Sequence, residues 1–392
     1  MNLIADLDKW LASVSSGVPD ETWADMKASA LGHFLKDMKK TKQNPHFHAE
    51  GNVLNHTKLV VDNVVKDPSF AELSTDYRRM LFLAAVLHDI GKIKTTVVNA
   101  SGRISSHHHA KTGGIMARNF LWKECGLAGT KEKVLFRETV CSLINWHMVT
   151  LHLMSRPEPD LLLRKAASRG ELIPDFTLEF LYHLAVADIY GRICDDEATF
   201  PARVEFAQKT AEEGECLKGP YHFANHYTKR AYFSGRNVLP WANLQDDSWG
   251  EVIVMSGLPG SGKDSWILKN HPELPVISLE KIRNENRIEP ADPQDAAVQM
   301  AVTLAKEYLT RQQPFIWNSA STTKEQRARL ITLLERYGAS VRIVYVETDM
   351  DELLRRNHAR EEGLPDDAVY KLLKKLEIPL PDEAAEVEWV YS

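Results

Sequence analysis

The stretch Val252-Ile253-Val254-Met255-Ser256-Gly257-Leu258-Pro259-Gly260-Ser261-Gly262-Lys263-Asp264-Ser265 decides how the second half of this chain is read. An apolar run of β-forming residues stops at a glycine-rich turn, and a helix-forming stretch follows. The glycines let backbone N–H groups face inward, the arrangement that cradles phosphate oxygens. Lys263 adds a point charge for the β and γ phosphates of a nucleotide. Gly257, Pro259, Gly260, Ser261, Gly262, Lys263, Asp264 and Ser265 are therefore the candidate nucleotide-binding residues.

Outward from this loop the pattern alternates. Residues 276–277, 315–317 and 341–346 read as strands, and 296–310 and 324–337 as helices. Strands separated by helices imply a parallel α/β sheet. One departure concerns the metal: the phosphate-loop motif carries Ser or Thr after its lysine, to ligate Mg²⁺ through the hydroxyl. Asp264 stands there, so a carboxylate would take that role directly or through water. A phosphoryl transferase also needs a base beyond the end of a neighbouring strand. Glu280 occupies that position, and Arg283, three residues on, is placed to bind an acceptor phosphate. Asn318 ends the third strand and could position water, metal or acceptor. Arg356 and Arg360 are one helical turn apart, which would put both on one face to clamp a transferring phosphoryl group. A solvated basic helix face is the alternative for that pair.

Upstream, to about residue 233, the rhythm is helical, with Leu54, Leu59, Val60 and Val64 at helix spacing and a small hairpin at 95–104. Residues 234–249 carry Gly235 and Pro240 among polar residues and read as a linker. The expected organisation is a helical domain over 1–233 and an α/β domain over 250–392. His56, the adjacent His88-Asp89, His109, His147 and Asp188 stand out in the first half, in or beside helical segments. Imidazoles and carboxylates converging from several helices suit divalent transition metals. A carboxylate can bridge two ions about 3.5–4 Å apart. His107 and His108 leave the register beside His109 open, and the spacing to Gly113 favours His109. His46 and His48 could line a site mouth or belong to a loop.

Composition bounds the rest. The 392 residues are 44% hydrophobic and 26% charged, enough for two or three domains with cores and too apolar for disorder. No apolar run approaches the ~20 residues of a membrane span. The segment 1–10 carries Asp6 and Asp8 without a basic region, so no secretory leader is expected there. The 4 cysteines form no Cys-x-x-Cys pair, which excludes a zinc ribbon or disulfide scaffold and leads us to expect a reducing, cytoplasmic setting. The net charge of −6 gives no global field for nucleic acid, and the acidic excess lies beyond Asp246. Local clusters such as Lys39-Lys40-Lys42 or Arg78-Arg79 would have to provide any polyanion contact, or are plain solvated surface.

The first-half residues resemble the HD phosphohydrolase superfamily over roughly 45–195. The motifs are Gly51-Asn52-Val53-Leu54-Asn55-His56-Thr57, Leu87-His88-Asp89-Ile90-Gly91-Lys92, His109-Ala110-Lys111-Thr112-Gly113, Asn145-Trp146-His147 and Ala185-Val186-Ala187-Asp188. That resemblance implies one metal held by His56, His88, Asp89 and Asp188, and a second by Asp89, His109 and His147. The ions would be Mn, Co, Ni or Zn, with Lys92 facing a substrate phosphate. The second half, over about 250–378, resembles the polynucleotide 5′-kinase branch of the P-loop kinases. It departs from that branch in carrying Glu280 where the family places an aspartate. It also has Asn318-Ser319-Ala320-Ser321 where the family often has an aspartate or an Asn-Ala-Thr-Asn run. This resemblance implies ATP or another NTP, Mg²⁺, and roles for Lys263, Glu280, Arg283, Arg356 and Arg360. The fusion is similar to the bacterial HD-Pnk end-healing enzymes. It implies a kinase for 5′-OH ends joined to a 3′-phosphatase or 2′,3′-cyclic phosphodiesterase. The partners would be single-stranded or nicked RNA or DNA ends, with a ligase in the same pathway. Two other readings stay open: an HD nucleotide hydrolase fused to a small-molecule kinase, and an ATP-binding regulatory protein.

Overall fold

The computed structural model describes residues 2–14, 17–288, 295–360 and 363–392. Residues 289–294 and 361–362 of the expected α/β domain lie outside that description. Contacts divide the chain into two units, one of Met1–Leu127 with Glu132–Tyr221 and one of Ala128–Lys131 with His222–Ser392. The division thus falls at Tyr221, ahead of the expected 233. The reason is the helix His226–Phe233, whose Arg230 pairs with Glu335 of the second unit (Nε to Oε1, 2.5 Å). No regular element lies between Phe233 and Glu251 among the described residues.

The first unit is helical. Its helices start where side chains can cap them: Asn52 accepts from Asn55 N before the helix Val53–Lys66, Ser74 from Tyr77 N before Thr75–Leu87, and Thr177 from Phe180 N before Leu178–Tyr190. The helix Thr75–Leu87 is buried on every side from Met80 to Leu87, which marks it as the central element. In Val53–Lys66 the buried face is Val53, His56, Thr57, Val60, Val61, Val64 and Val65, whereas Leu59 is exposed. Two short strands, β1 (Val97–Val98) and β2 (Ile104–Ser105), form the expected antiparallel hairpin. A buried ion cluster then aligns two helices. Glu138 Oε1 on Lys131–Trp146 accepts from Arg118 Nε of His109–Lys123 (2.8 Å) and from Arg137 Nε (2.7 Å).

The second unit is a five-stranded parallel sheet. Its strands are β3 (Glu251–Ser256), β4 (Val276–Ser278), β5 (Ile316–Asn318), β6 (Ser340–Glu347) and β7 (Glu386–Tyr391), in the order β4-β5-β3-β6-β7. Alternate side chains of β3 enter opposite cores. Val252 and Val254 join Phe315, Leu334 and Val341, and Ile253 and Met255 join Ile267, Val344 and Val346. Strand β7 has no counterpart in the sequence reading. Its Glu-Val-Glu-Trp-Val-Tyr alternation belongs to an edge strand, not to the continuous apolar runs of a buried parallel strand. No helix among the described residues is long and apolar enough to cross a membrane.

Gly91 fixes the approach of the chain after Asp89 to the start of the helix His109–Lys123. A Cβ there would lie 2.0 Å from the His109 carbonyl oxygen and 2.6 Å from Gly113 N. Gly91→Ala forces backbone apart from backbone and lowers stability by about 1–3 kcal/mol. Urea denaturation of the variant against the parent checks this.

Candidate metal centre and phosphate loop

Helix ends build the cluster in the first unit. The last carbonyls of a helix have no intrahelical donor. Two histidines serve such carbonyls and a third serves a turn carbonyl, each through Nδ1. His88 donates to Ala85 O (2.8 Å) and His147 to Ile144 O (2.6 Å), both just past a helix end. His109 opens its helix and donates to Ser106 O (2.9 Å). His56 Nδ1 faces Gly191 O at 3.2 Å, at the end of Leu178–Tyr190. A carbonyl only accepts, so the Nδ1 atoms of His88, His109 and His147 carry the proton and their Nε2 atoms present a lone pair, whereas His56 also has its Nε2 within 2.9 Å of Asp188 Oδ1.

Those four Nε2 atoms surround Asp89. Its Oδ2 lies 3.4 Å from His88 Nε2 and 3.8 Å from His56 Nε2, and its Oδ1 lies 3.4 Å from His109 Nε2 and 3.9 Å from His147 Nε2. Asp188 Oδ1 closes one side, 2.9 Å from His56 Nε2 and 3.9 Å from His88 Nε2. The donor atoms fall into two groups able to hold an ion, His56-His88-Asp188 and Asp89-His109-His147. All six residues singled out from sequence are thus brought together, with Asp89 between the groups. His107 and His108 are exposed, and His108 takes a left-handed backbone (φ 60°) that turns the chain so that His109 enters the cluster.

The residues fit a pair of cations on two counts. His88 Nε2 and Asp89 Oδ1 are buried without a hydrogen-bond partner, an arrangement that is costly unless a ligand satisfies it. His147, His109 and Asp89 are also in ligating form. Burial pushes His147 down to about 3 and His109 to about 4, against the pull of nearby carboxylates. Burial works against ionised Asp89, but Lys92, His88 and His109 hold its carboxyl well below the usual range. For His56 the order differs. Burial disfavours its charge, yet hydrogen bonds with Asp188 and Glu50 raise its pKa.

A surrounding layer was only partly visible in the sequence. Lys92 Nζ lies 2.7 Å from Asp89 Oδ2 and donates to Gln43 Oε1 at 2.6 Å. Glu50 Oε1 sits 2.7 Å from His48 Nδ1 and 3.1 Å from His56 Nδ1, while its Oε2 accepts from Ile193 N at 3.2 Å. A carboxylate behind a ligating histidine orients the ring and raises its basicity. Arg192 NH2 donates to Asp188 Oδ2 at 3.1 Å, and its Nε is buried without a partner. The sequence analysis did not single out Gln43, Glu50 or Arg192. The available signal was spacing: Arg192 lies one helical turn beyond Asp188, and Glu50 six residues before His56. His48 belongs to this layer, whereas His46 is exposed.

In the second unit the loop after β3 leads into the helix Lys263–Asn270. Gly257 has φ 140°, and a Cβ there would meet Val346 O at 2.4 Å, so only glycine fits between two strand ends. Lys263 Nζ donates to Gly257 O (3.0 Å) and Leu258 O (2.9 Å), which places it over the loop. Ser261 Oγ is buried without a partner, an unmet donor inside the phosphate cradle. Asp264 is exposed. Its Oδ1 accepts from Asn318 Nδ2 (2.7 Å) and its Oδ2 from Arg360 NH2 (3.2 Å), and Arg360 NH1 donates to Glu280 Oε2 (3.3 Å). Asp264, Glu280, Asn318 and Arg360 therefore share one site.

The arginine pair does not share a helical face. The helix Met350–His358 ends at Ala359, and Asn357 turns the chain by bonding Leu364 through both its Nδ2 and Oδ1. Arg360 therefore reaches Glu280 and Asp264, while Arg356 bonds Glu352 (Nε to Oε1, 2.6 Å) and Ser392 Oγ (2.9 Å). Arg283 lies in the helix Leu279–Asn286, three residues after Glu280. Arg79, expected as a surface cation, is neutralised by Asp8 and Asp76.

A protein-family model described as AAA domain matches residues 252–379, which cover the phosphate loop, Glu280, Asn318 and both arginines. The match and the phosphate loop together give this unit a P-loop kinase-like domain, and a phosphate loop implies nucleotide and Mg²⁺ binding.

Glu50→Gln keeps the shape of the residue behind His56 but removes its charge. We expect Mn²⁺ affinity to fall about ten- to a hundredfold with the fold retained. Isothermal titration calorimetry with circular dichroism checks both.

Proposed function

We propose that this chain heals nucleic-acid ends with two separate sites. The α/β unit transfers the γ-phosphoryl group of ATP to a 5′-hydroxyl. The helical unit removes a 3′-phosphate, or opens a 2′,3′-cyclic phosphate and then removes it. The observation that carries the hydrolase half is the ring of four histidines, three with the proton held on Nδ1, around the buried carboxylate of Asp89. The kinase half rests on the phosphate loop together with the shared Asp264–Glu280–Asn318–Arg360 site.

In the hydrolase half, His56, His88, Asp89 and Asp188 would hold one cation, and Asp89, His109 and His147 the other. Two such ions supply charge that polarises a phosphoryl group and activates a water. Lys92 binds a non-bridging phosphate oxygen, with Gln43 holding the ammonium in place. Glu50 keeps the His56 proton on Nδ1. Arg192 orients Asp188.

In the kinase half, Lys263 and the loop N–H groups bind the β and γ phosphates. Glu280 accepts the proton as the 5′-oxygen attacks γ-phosphorus. The bond from γ-phosphorus to the β–γ bridging oxygen breaks and ADP leaves. Arg360 moves from the two carboxylates to the transferring phosphoryl, where its charge counts most. Arg356 lies one turn earlier and Arg283 beside the base, both suited to phosphate oxygens of the acceptor strand. RNA or DNA ends serve this chemistry equally, since terminal groups are read and bases are not.

With an oligonucleotide bearing 5′-OH and 3′-phosphate ends, Asp89→Ala abolishes release of the 3′-phosphate and spares 5′ labelling from [γ-³²P]ATP. Lys263→Ala does the reverse. Loss of both activities in each folded variant refutes two independent sites. Labelling of nucleosides but not of oligonucleotides redirects the kinase half to small-molecule acceptors.

A further inference from the structure

Two chain segments run on directly from candidate metal ligands and enclose a cavity. Past His147 the chain forms the short helix Val149–His152 and the turn Leu153–Ser155. Past Asp188 it reaches Arg192, then Ala198 and Thr199, and continues into the helix Phe200–Glu213. Between them lies a cavity of about 630 Å³ with Leu151, His152, Met154, Ser155, Ala202 and Arg203 among its walls. That volume is within the range of small-ligand sites.

The chemistry of its surroundings is mixed in a particular way. Arg203 spans the cavity wall, holding Leu151 O at 3.0 Å and Asp196 Oδ2 at 3.3 Å. The His152 imidazole is pushed below its ordinary pKa by desolvation first and then by the positive charges of Arg192, Arg156 and Arg203, with Arg203 sharing the cavity wall. Arg192 links this region to the metal cluster through Asp188, and its buried Nε has no partner. On the same wall as Arg203, Leu151 and Met154 supply apolar surface, and Met154 is 55% exposed. A cation next to apolar wall and an imidazole matches a nucleotide, whose phosphates need charge and whose sugar and base need an apolar or ring surface.

We propose that this cavity is the subsite for the terminal nucleoside of the hydrolase substrate, whose 3′-phosphate extends past Arg192 to Asp89. The proposal rests on the end-healing reading and deepens it. It assigns recognition of the last sugar and base to the segments after His147 and Asp188. The phosphate itself is held at the cluster. A nucleoside 3′-phosphate then binds more tightly than inorganic phosphate, and the difference resides in the cavity.

The test is calorimetric titration of the full chain, saturated with Mn²⁺, with a hydrolysis-resistant 3′-phosphonate analogue of adenosine 3′-monophosphate and with inorganic phosphate. The variants are Ala202→Trp and Ser155→Trp, which fill the cavity from opposite walls at exposed positions. The expected result is that wild type prefers the nucleotide at least tenfold, and that both folded variants lose the preference while still binding phosphate. An unchanged preference in both variants overturns the subsite, and so does a wild type that binds the two ligands equally. Turnover of p-nitrophenyl phosphate by wild type separates the two ideas. If that ester is untouched but the nucleotide preference exists and is lost in the variants, the hydrolase reading fails and the subsite stands.

Discussion

Asp89 is ionised and buried, with Oδ2 ion-paired to Lys92 and Oδ1 without a hydrogen-bond donor. A carboxylate in that state is among the most expensive groups a protein can bury. The architecture of the helical unit is organised around tolerating it. Lys92 comes up beneath one oxygen, and four imidazoles stand around both. Elements far apart in sequence must meet within a few ångströms for this to work: Gly91 lets the chain after Asp89 approach His109, and the Glu138 ion cluster joins the helices beside His109 and His147. Neither contributes chemistry. Each sets where a helix end falls relative to Asp89.

Much of this was legible because the signals were discrete. A glycine-rich turn between a β run and a helix has one physical use, and the structure places it after β3, flanked by β5 and β6. The histidines and aspartates were legible as a set, because each lies in or next to a helical segment. Burial and convergence of the side chains could not be read from spacing. Glu50 and Gln43 escaped notice because a polar residue in a loop looks the same whether it faces water or supports a ligand. Strand β7 was missed because its charged alternation fits an exposed loop as well as a sheet edge. The arginine pair shows the reverse failure. Spacing put Arg356 and Arg360 on one helix face, but the helix stops at His358 when Asn357 captures Leu364.

In the α/β unit the polar site is drawn together by opposite charges. Arg360 spans Asp264 and Glu280, and Asn318 holds the other oxygen of Asp264. An aspartate in place of the usual hydroxyl residue thus acquires a defined orientation from a strand end and from an arginine beyond a helix. The chemistry of the site depends on how those partners redistribute when phosphates enter. Charge-assisted bonds of this kind are strong enough to orient side chains and exposed enough to exchange.

The histidine tethers have a consequence for how the helical unit would meet its ions. Three rings are anchored to carbonyls three residues earlier in the chain, at Ala85, Ser106 and Ile144. These anchors are local, so they do not depend on an ion being present. Loading would therefore demand little rearrangement of the ligands, and an ion could leave and be replaced without unfolding the helices that hold it. With mixed nitrogen and oxygen donors and a preset geometry, occupancy would follow the supply of divalent ions in the surroundings more than any selectivity written into the scaffold.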